Sequence, residues 1–378
     1  MREVVLKWIG IAVLLGLAAS DTGCTPGENS EGPVVLETTV DTSLVVGVNA
    51  EEGPAYALGN PVGVEVDSAG RLYVADNSIP AIQVYDDAGT HLRTIGGKGP
   101  GPGEFQEIQD LHVHGDTLTV ICPTEVERFR LGGQSLDTFT LDDQASWRAL
   151  HSPNDRWILG AYSARGGPDS LLRVYSDNFK PTRAAFGRAS EFVDSNIVSK
   201  VTIGQHVGSL GTTSDGGVLL APYLYEGQIA EYRPKRGRWR RIGTWMGYTE
   251  RDAYEYKKVT SDAPAKEAKI YTTYAGVFNA IYYNKSLGLF RRDDRVFHFT
   301  SITRRSHRRF GAEIYQSNGT MQGYAPLTEI ATNEDGVPVE VTPTPEAIGP
   351  DGAFYLIEKG YDAVPKVVVL SLSVEKID

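Results

Sequence analysis

The sequence predicts an all-β fold, a β-propeller built from many short strands. Three observations point there. Apolar and polar residues alternate with strand period in segment after segment. Turn markers recur at spacings of about 45, 40 and 60 residues, close to the ~40–50 expected of propeller blades. The 41 glycines, 20 prolines and 10% aromatic share suit short strands joined by tight turns.

The chain opens with an export signal. Arg2 and Lys7 precede Trp8 to Ala19, a charge-free apolar run. Such a run behind basic residues reads as a signal-peptide core and falls short of the roughly 20 residues that span a bilayer. Residues 1–23 are therefore assigned as signal peptide and residues 24–33 as a polar tether. Two processing routes stay open. Ala18-Ala19-Ser20 offers the small residues of ordinary cleavage. Thr22-Gly23-Cys24 is similar to the end of a bacterial lipobox, with Asp21 standing where that pattern has an apolar residue. Lipidation of Cys24 would anchor the protein to a membrane. The only other cysteine is Cys122, so no internal disulfide is expected once Cys24 is modified or removed. The fold must rest on its core, which a chain of 378 residues can build.

Residues 34–378 form the propeller. Val34 to Val46 reads as a strand without a blade of its own. Asn60 to Gly96 contains four strands in about 37 residues, the content of one blade. Val62, Val64 and Val66 alternate with polar neighbours. Leu72 to Ala75, Ile82 to Tyr85 and His91 to Ile95 follow, separated by turns at Ser68-Ala69-Gly70, Asp76 to Pro80 and Asp86 to Gly89. Further blades are expected at Glu104–Leu141, Ala145–Gly187, His206–Trp245, Val277 to about Gln322, and Thr342–Asp378. Residues 247–275 are charged and break the pattern. They read as an insertion, with Thr249 and Asp252 able to cap a short helix, or equally as a long rim loop.

Pro61-Val62-Gly63-Val64, Gly70 to Asp76, Ile82 to Asp86, Gly89 and Ile95-Gly96 together resemble an NHL repeat almost end to end. The linker Gly96 to Phe105 resembles the glycine-rich connection between blades of bacterial propellers of this kind. The resemblance implies a six-bladed, NHL-like propeller, and the strand Val34 to Val46, having no blade of its own, is expected to pair with the last blade and close the ring. Such closure leaves no open sheet edge. Length beyond six minimal blades belongs in insertions, and seven blades is the alternative.

Several groups are candidates for chemistry. Asp110, His112 and His114 alternate, so they share one face of a strand. With His206 they are candidate ligands for a divalent metal. Successive side chains on that face stand about 6.6 Å apart, so help from a second strand would be needed, and polar packing between blades explains the same pattern. Glu65, His112, His151 and His206 fall near the starts of successive blades, where innermost strands line a propeller channel. Propeller enzymes of the lactonase and peptide-amidating lyase types gather metal ligands there, although neither motif matches residue by residue. Arg233 to Arg241 holds six Lys or Arg residues. Arg236, Arg238 and Trp239 are candidates for an anionic glycan or lipid headgroup, and a solvated hairpin tip is the competing reading. A second basic set lies at Arg291, Arg292, Arg295, Arg304, Arg305, Arg308 and Arg309, diluted by Asp293 and Asp294.

Gly96-Gly97-Lys98-Gly99 lacks the order of a phosphate loop. The Asp-Gly turns lack the spaced carboxylates of a calcium site. The net charge of −11 argues against a nucleic-acid binder. No cofactor is required by any motif, with a divalent metal as the open option. The expectation is an exported propeller, periplasmic or membrane-anchored, that binds an envelope protein, peptide or glycan. The alternative is a metal-dependent hydrolase or lyase with its site in the channel.

Overall fold

The computed structural model describes residues 34–47, 57–142, 145–152, 155–161, 170–188, 191–192, 208–223, 225, 227–248, 256–257, 270–273, 276–280, 285–303, 307–331, 342–359 and 364–375. They form six four-stranded antiparallel blades in a ring. Strand β1 (Glu37–Val46) comes first. Blade 1 is β2 (Pro61–Val66), β3 (Leu72–Asp76), β4 (Ala81–Tyr85) and β5 (His91–Ile95). Blade 2 is β6 (Asp110–His114), β7 (Thr117–Ile121), β8 (Glu125–Arg130) and β9 (Ser135–Thr140). Blade 3 is β10 (Ala145–Ser152), β11 (Arg156–Ala161), β12 (Ser170–Ser176) and β13 (Pro181–Arg188). Blade 4 is β14 (Ser209–Thr212), β15 (Val218–Ala221), β16 (Gln228–Lys235) and β17 (Arg238–Met246).

Between blades 4 and 5 lies a small three-stranded sheet of β18 (Tyr256–Lys257), β19 (Ile270–Thr273) and β20 (Gly276–Ala280). Blade 5 follows as β21 (Lys285–Arg292), β22 (Arg295–Thr303), β23 (His307–Gln316) and β24 (Met321–Ala331). Blade 6 joins β25 (Thr342–Ile348), β26 (Phe354–Lys359) and β27 (Lys366–Glu375) to β1.

The ring closes as expected. β1 runs antiparallel to β27 from Glu37↔Glu375 to Val46↔Val367 and becomes the outermost strand of blade 6. Just before it, the Tyr324 amide donates to Val34 O and the Leu36 amide to Tyr324 O, both at 2.9 Å, so the same segment also grips blade 5. The innermost strands touch in the order β2, β6, β10, β14, β21, β25 and back to β2. Close approach in this inner ring needs small residues. A Cβ on Gly211 would sit 3.1 Å from Leu289 Cβ of the next inner strand, and one on Gly288 would sit 3.1 Å from the Pro345 carbonyl.

Apolar packing follows the blade boundaries. Each of six clusters of buried side chains bridges one pair of neighbouring blades. Between blades 5 and 6, Phe297, Phe299, Phe310 and Phe354 interlock. Each such fully buried side chain contributes roughly 1.5–3 kcal/mol. Phe105, from the glycine-rich linker, is fully buried between blades 1 and 2. Turn chemistry is as read from the sequence. Asp67 accepts from the amides of Ala69 (2.9 Å) and Arg71 (3.0 Å), and Gly70 takes φ +78°.

Two expectations need correction. Blade 5 begins at Lys285 rather than Val277, because Val277 belongs to β20 of the small inserted sheet, and it ends at Ala331 rather than near Gln322, because its strands are about twice as long as those of blade 1. The inserted stretch carries strands rather than a helix where it is described, and its small sheet runs on to Ala280. Thr249 and Asp252 lie outside the described residues, as do residues 1–33 with Cys24. No described helix is long and apolar enough to cross a membrane.

Candidate functional site

The inner strands bring a set of charges together from four blades. Glu65 stands on β2, Asp110 and His112 on β6, Arg148 on β10 and Glu346 on β25. His112 Nδ1 is 3.3 Å from Glu65 Oε1, and its Nε2 is 3.5 Å from Asp110 Oδ2. Asp110 also accepts from the Ala149 amide at 2.7 Å and from its neighbour Leu111 at 2.9 Å. Arg148 donates to Glu346 Oε2 at 2.7 Å, across 198 positions of sequence. The sheet makes this convergence possible. Alternate residues of an inner strand face one side, so one strand supplies both Asp110 and His112.

Burial alone would strip His112 of its proton. The carboxylates of Asp110 and Glu65 overcome that and push its pKa up to about 10. Burial raises Glu65 and Glu346, whereas His112 holds Asp110 below the usual carboxylate range against its own burial. At neutral pH His112 is thus an imidazolium between two carboxylates, and Arg148 answers Glu346 and Asp110. This is a chain of alternating charge tying blades 1, 2, 3 and 6 together.

A pH dependence follows. The folded-state pKa of His112 lies above its unfolded value. Its stabilising contribution is therefore complete below about pH 6.5 and fades as pH rises towards 10. Thermal melts across that range should show Tm falling, and His112→Gln should flatten the slope while lowering Tm at pH 7. A wild-type slope unchanged in the variant would refute the assignment.

A second buried polar cluster joins blades 4 and 5. His298 on β22 lies opposite Glu313 on β23 in the strand register. Its Nδ1 is 2.8 Å from Glu313 Oε2, and its Nε2 is 2.8 Å from Ser286 Oγ on β21. The Ser286 hydroxyl is 2.7 Å from that of Ser209 on β14. Because a carboxylate only accepts, Nδ1 carries the hydrogen of the first bond. Glu313 Oε2 also accepts from Tyr225 (2.5 Å) and Tyr315 (2.8 Å), and Oε1 accepts from the Tyr248 amide at 2.6 Å. Three donors thus converge on Oε2 and one on Oε1 of a single carboxylate. Burial lifts both tyrosine pKa values well above normal, so both hydroxyls remain donors. Serine, histidine and glutamate stand here in the order of a proton relay for nucleophilic attack. Ser286 is 3% exposed and His298 and Glu313 are 0% exposed, which makes the cluster a clamp within the fold.

The residues singled out in the sequence separate. Asp110 and His112 meet, as expected, with Glu65. His114 does not join them. It is exposed at the end of β6, its ring 4.8 Å from that of His151, because the strand carries each alternate residue onward. His151 belongs to β10 and packs on Trp157 at 4.7 Å. His206 lies outside the described residues. Among the described residues, no three His, Cys, Asp or Glu side chains are arranged to hold a metal ion.

Arg236 and Arg238 are exposed at the tip of the β16–β17 hairpin. Trp239 is not free for a ligand. It stacks on Phe186 of blade 3, centroids 4.7 Å apart and planes within 12°. The second arginine set is not one patch. Arg292 is half-buried over Phe297 and Phe354 and donates to the carbonyls of Gly352 and Leu372, while Arg304 and Arg305 lie outside the described residues. Cys122 is buried and its thiol pKa is raised by burial. Sequence reasoning missed Arg148, Glu346 and the whole Ser286–His298–Glu313 cluster. The available signal was a single polar residue inside otherwise apolar runs, His298 in VFHFT and Glu313 in GAEIY.

Strand order, ring contacts and the six interblade cores define the class: the chain is a six-bladed β-propeller. Residues 57–235 match the model of a family described as 6-bladed beta-propeller. Among solved structures, the fold is similar to a Bacteroides fragilis protein provisionally described as exported. That match has 12% identity and a TM-score of 0.55, and covers 88% of this chain and 95% of the other. Virginiamycin B lyase of Staphylococcus aureus matches at 11% identity and TM-score 0.46, over 89% of this chain and 99% of the other. The extracellular domain of a hybrid two-component system of B. thetaiotaomicron matches at 12% and 0.44, over 89% and 40%. At these identities the likeness is one of fold. No curated protein matches the sequence.

Proposed function

We propose that this chain is an exported, NHL-like propeller that works as a binding or scaffold protein of the cell envelope, presenting its loops to a protein, peptide or glycan. The observation that carries this reading is the paired charge chain of the inner strands. Residues at the place where a propeller would gather a site are paired in charge with one another, Arg148 with Glu346 and His112 with Glu65 and Asp110, although His112 Nε2 makes no hydrogen bond at its 3.5 Å from Asp110. Export is supported by the basic and apolar N-terminal run. Lipidation at Cys24 would keep the protein at a membrane. A photo-crosslinking residue at Tyr256 tests this in cells. A discrete crosslinked envelope species supports the reading. Absence of any crosslink from there and from the other loop positions would sink it.

One observation favours a second reading, a hydrolase. Ser286, His298 and Glu313 have the hydrogen-bond order of a nucleophile, its base and an orienting acid. A fluorophosphonate probe separates the two. The binding reading expects no labelling of Ser286, since its hydroxyl is buried; stoichiometric labelling that Ser286→Ala abolishes would establish the hydrolase. The metal-dependent alternative would draw on Asp110, His112, His114 and His206, and no contact among the described residues favours it.

A further inference from the structure

We infer that the tip of the β23–β24 hairpin is a self-modifying site: Asn318 closes on the amide of Gly319, loses ammonia and opens to isoaspartate, which loosens the seam between blades 5 and 4. The inference does not depend on the function proposed above. Asn318 is the one asparagine of the chain that is followed by glycine. With no Cβ on residue 319, nothing beside its amide nitrogen obstructs approach to the preceding side chain.

The folded tip assembles the parts of the reaction. The Gly319 amide donates to the Gln316 carbonyl at 2.9 Å, and Gly319 holds φ +87°, the left-handed residue that follows a type I turn in such hairpins. Asn318 is exposed, yet its side chain is held. Oδ1 accepts from the Thr320 amide at 2.9 Å. That bond folds the carboxamide back along the chain, beside the Gly319 nitrogen. It also keeps a donor on the oxygen where negative charge develops as the nitrogen adds to Cγ.

The step balances with water as the only other reactant. The Gly319 nitrogen gives its proton to water and bonds to Cγ. The Cγ–Nδ2 bond breaks, and Nδ2 takes a proton from water and leaves as ammonia. The succinimide that results joins the nitrogen to both carbonyl carbons of residue 318. Water then adds to one of them. Breaking the bond to Cγ gives aspartate. Breaking the backbone bond gives isoaspartate, whose main chain runs through Cβ and Cγ and is one carbon longer.

Blade 6 repeats the frame with a different side chain. The Gly352 amide donates to the Gly349 carbonyl at 2.9 Å with φ +81°, and Asp351 Oδ1 accepts from the Ala353 amide at 3.0 Å. A carboxylate repels the incoming nitrogen and has no ammonia to release. The same backbone is therefore inert at Asp351 and reactive at Asn318.

The product lands on a packed contact. Gly319 backs onto Trp245 of blade 4, and a Cβ on it would sit 2.5 Å from the indole Nε1. Trp245 is buried, donates to Glu231 at 3.0 Å and packs on Tyr315 at 5.6 Å. An added main-chain carbon has no room there, so it pushes the tip off the indole.

Peptide mapping by mass spectrometry of the full chain, kept folded at mildly alkaline pH, provides the test. Ammonia loss at Asn318 should outpace that at every other asparagine several-fold. It should speed up with pH, because the attacking nitrogen must shed its proton. Asp351 should stay unchanged over the same interval, and Asn318→Ser should remove the acidic fraction seen on anion exchange. The converted fraction should melt below its parent. Asn318→Asp adds the charge without lengthening the chain and should melt with the wild type. Conversion in urea-unfolded chain but not in folded chain overturns the inference, since the tip would then shield the side chain. Isomerisation at Asp351 as fast as conversion at Asn318, or a converted fraction that melts with its parent, overturns it as well.

Discussion

Removal of residues 1–46 is expected to abolish the stable monomeric ring. β1 covers the outer edge of β27 along its length and buries Leu36 and Val46, with Val40 and Leu44 packed beside them. Four apolar side chains at roughly 1.5–3 kcal/mol each come to about 6–12 kcal/mol as an upper estimate. That is comparable to the whole stability of an ordinary domain. The loss also leaves β27 as an open edge ready to pair with another molecule. Size-exclusion chromatography and thermal melts check this. The truncated chain should elute as aggregate or melt far below the full chain, and a synthetic peptide of residues 34–47 should restore part of the loss. A truncated monomer melting within a few degrees of the full chain would show that the ring closes without this strand.

The second large effect is expected at Glu313. Glu313→Ala leaves His298 Nδ1, the Tyr225 and Tyr315 hydroxyls and the Tyr248 amide without their shared acceptor. Each buried donor left unmade costs about 1–3 kcal/mol. With some relaxation and entry of water the sum should exceed about 4 kcal/mol. Glu313→Gln should fall between, because its amide keeps one acceptor oxygen but sets two hydrogens against the surrounding donors. Gly247 belongs to the same unit. A Cβ there would collide with Tyr225, Tyr315 and Glu313, so Gly247→Ala should show a smaller loss of the same kind. Denaturant melts of the three variants give the order. A Glu313→Ala cost below about 1 kcal/mol would remove the clamp from the account.

What the sequence made legible follows from distance along the chain. Blade 1 could be read strand by strand because all its pairings lie within Pro61–Ile95 and its turns carry Asp67, Gly70, Asp86 and Gly89 in their expected places. Closure by β1 was legible because a lone strand at one end had only the other end to pair with. Blade 5 was misplaced because its long strands turn at Asp293-Asp294 and Asn318-Gly319 among charged neighbours that carry no repeat signature. The inner charge chain was half legible. Asp110 and His112 declare themselves by alternation, but Glu346 lies 198 positions from Arg148, and nothing local marks either as the other's partner. Trp239 looked available because an aromatic among arginines suggests stacking, and the ring it stacks on belongs to Phe186 of another blade.

The pairing of β1 with β27 also sets a clock. Glu37 and Glu375 are partners in register, so about 340 residues must be added after β1 is made before its mate exists. At synthesis rates of about 5–20 residues per second this is on the order of 20–70 s. Until then β1 lacks its partner strand, and once Ala331 is made blades 1 to 5 form an arc whose two end faces await blade 6. The polar positions Thr38, Thr39, Asp41, Thr42 and Ser43 within β1 suit such a wait, since a charge and hydroxyls discourage pairing with the wrong neighbour. Whatever holds the arc open, be it a ribosome, a chaperone or a translocation channel, decides when the final stitch is made, and the last dozen residues act as the latch.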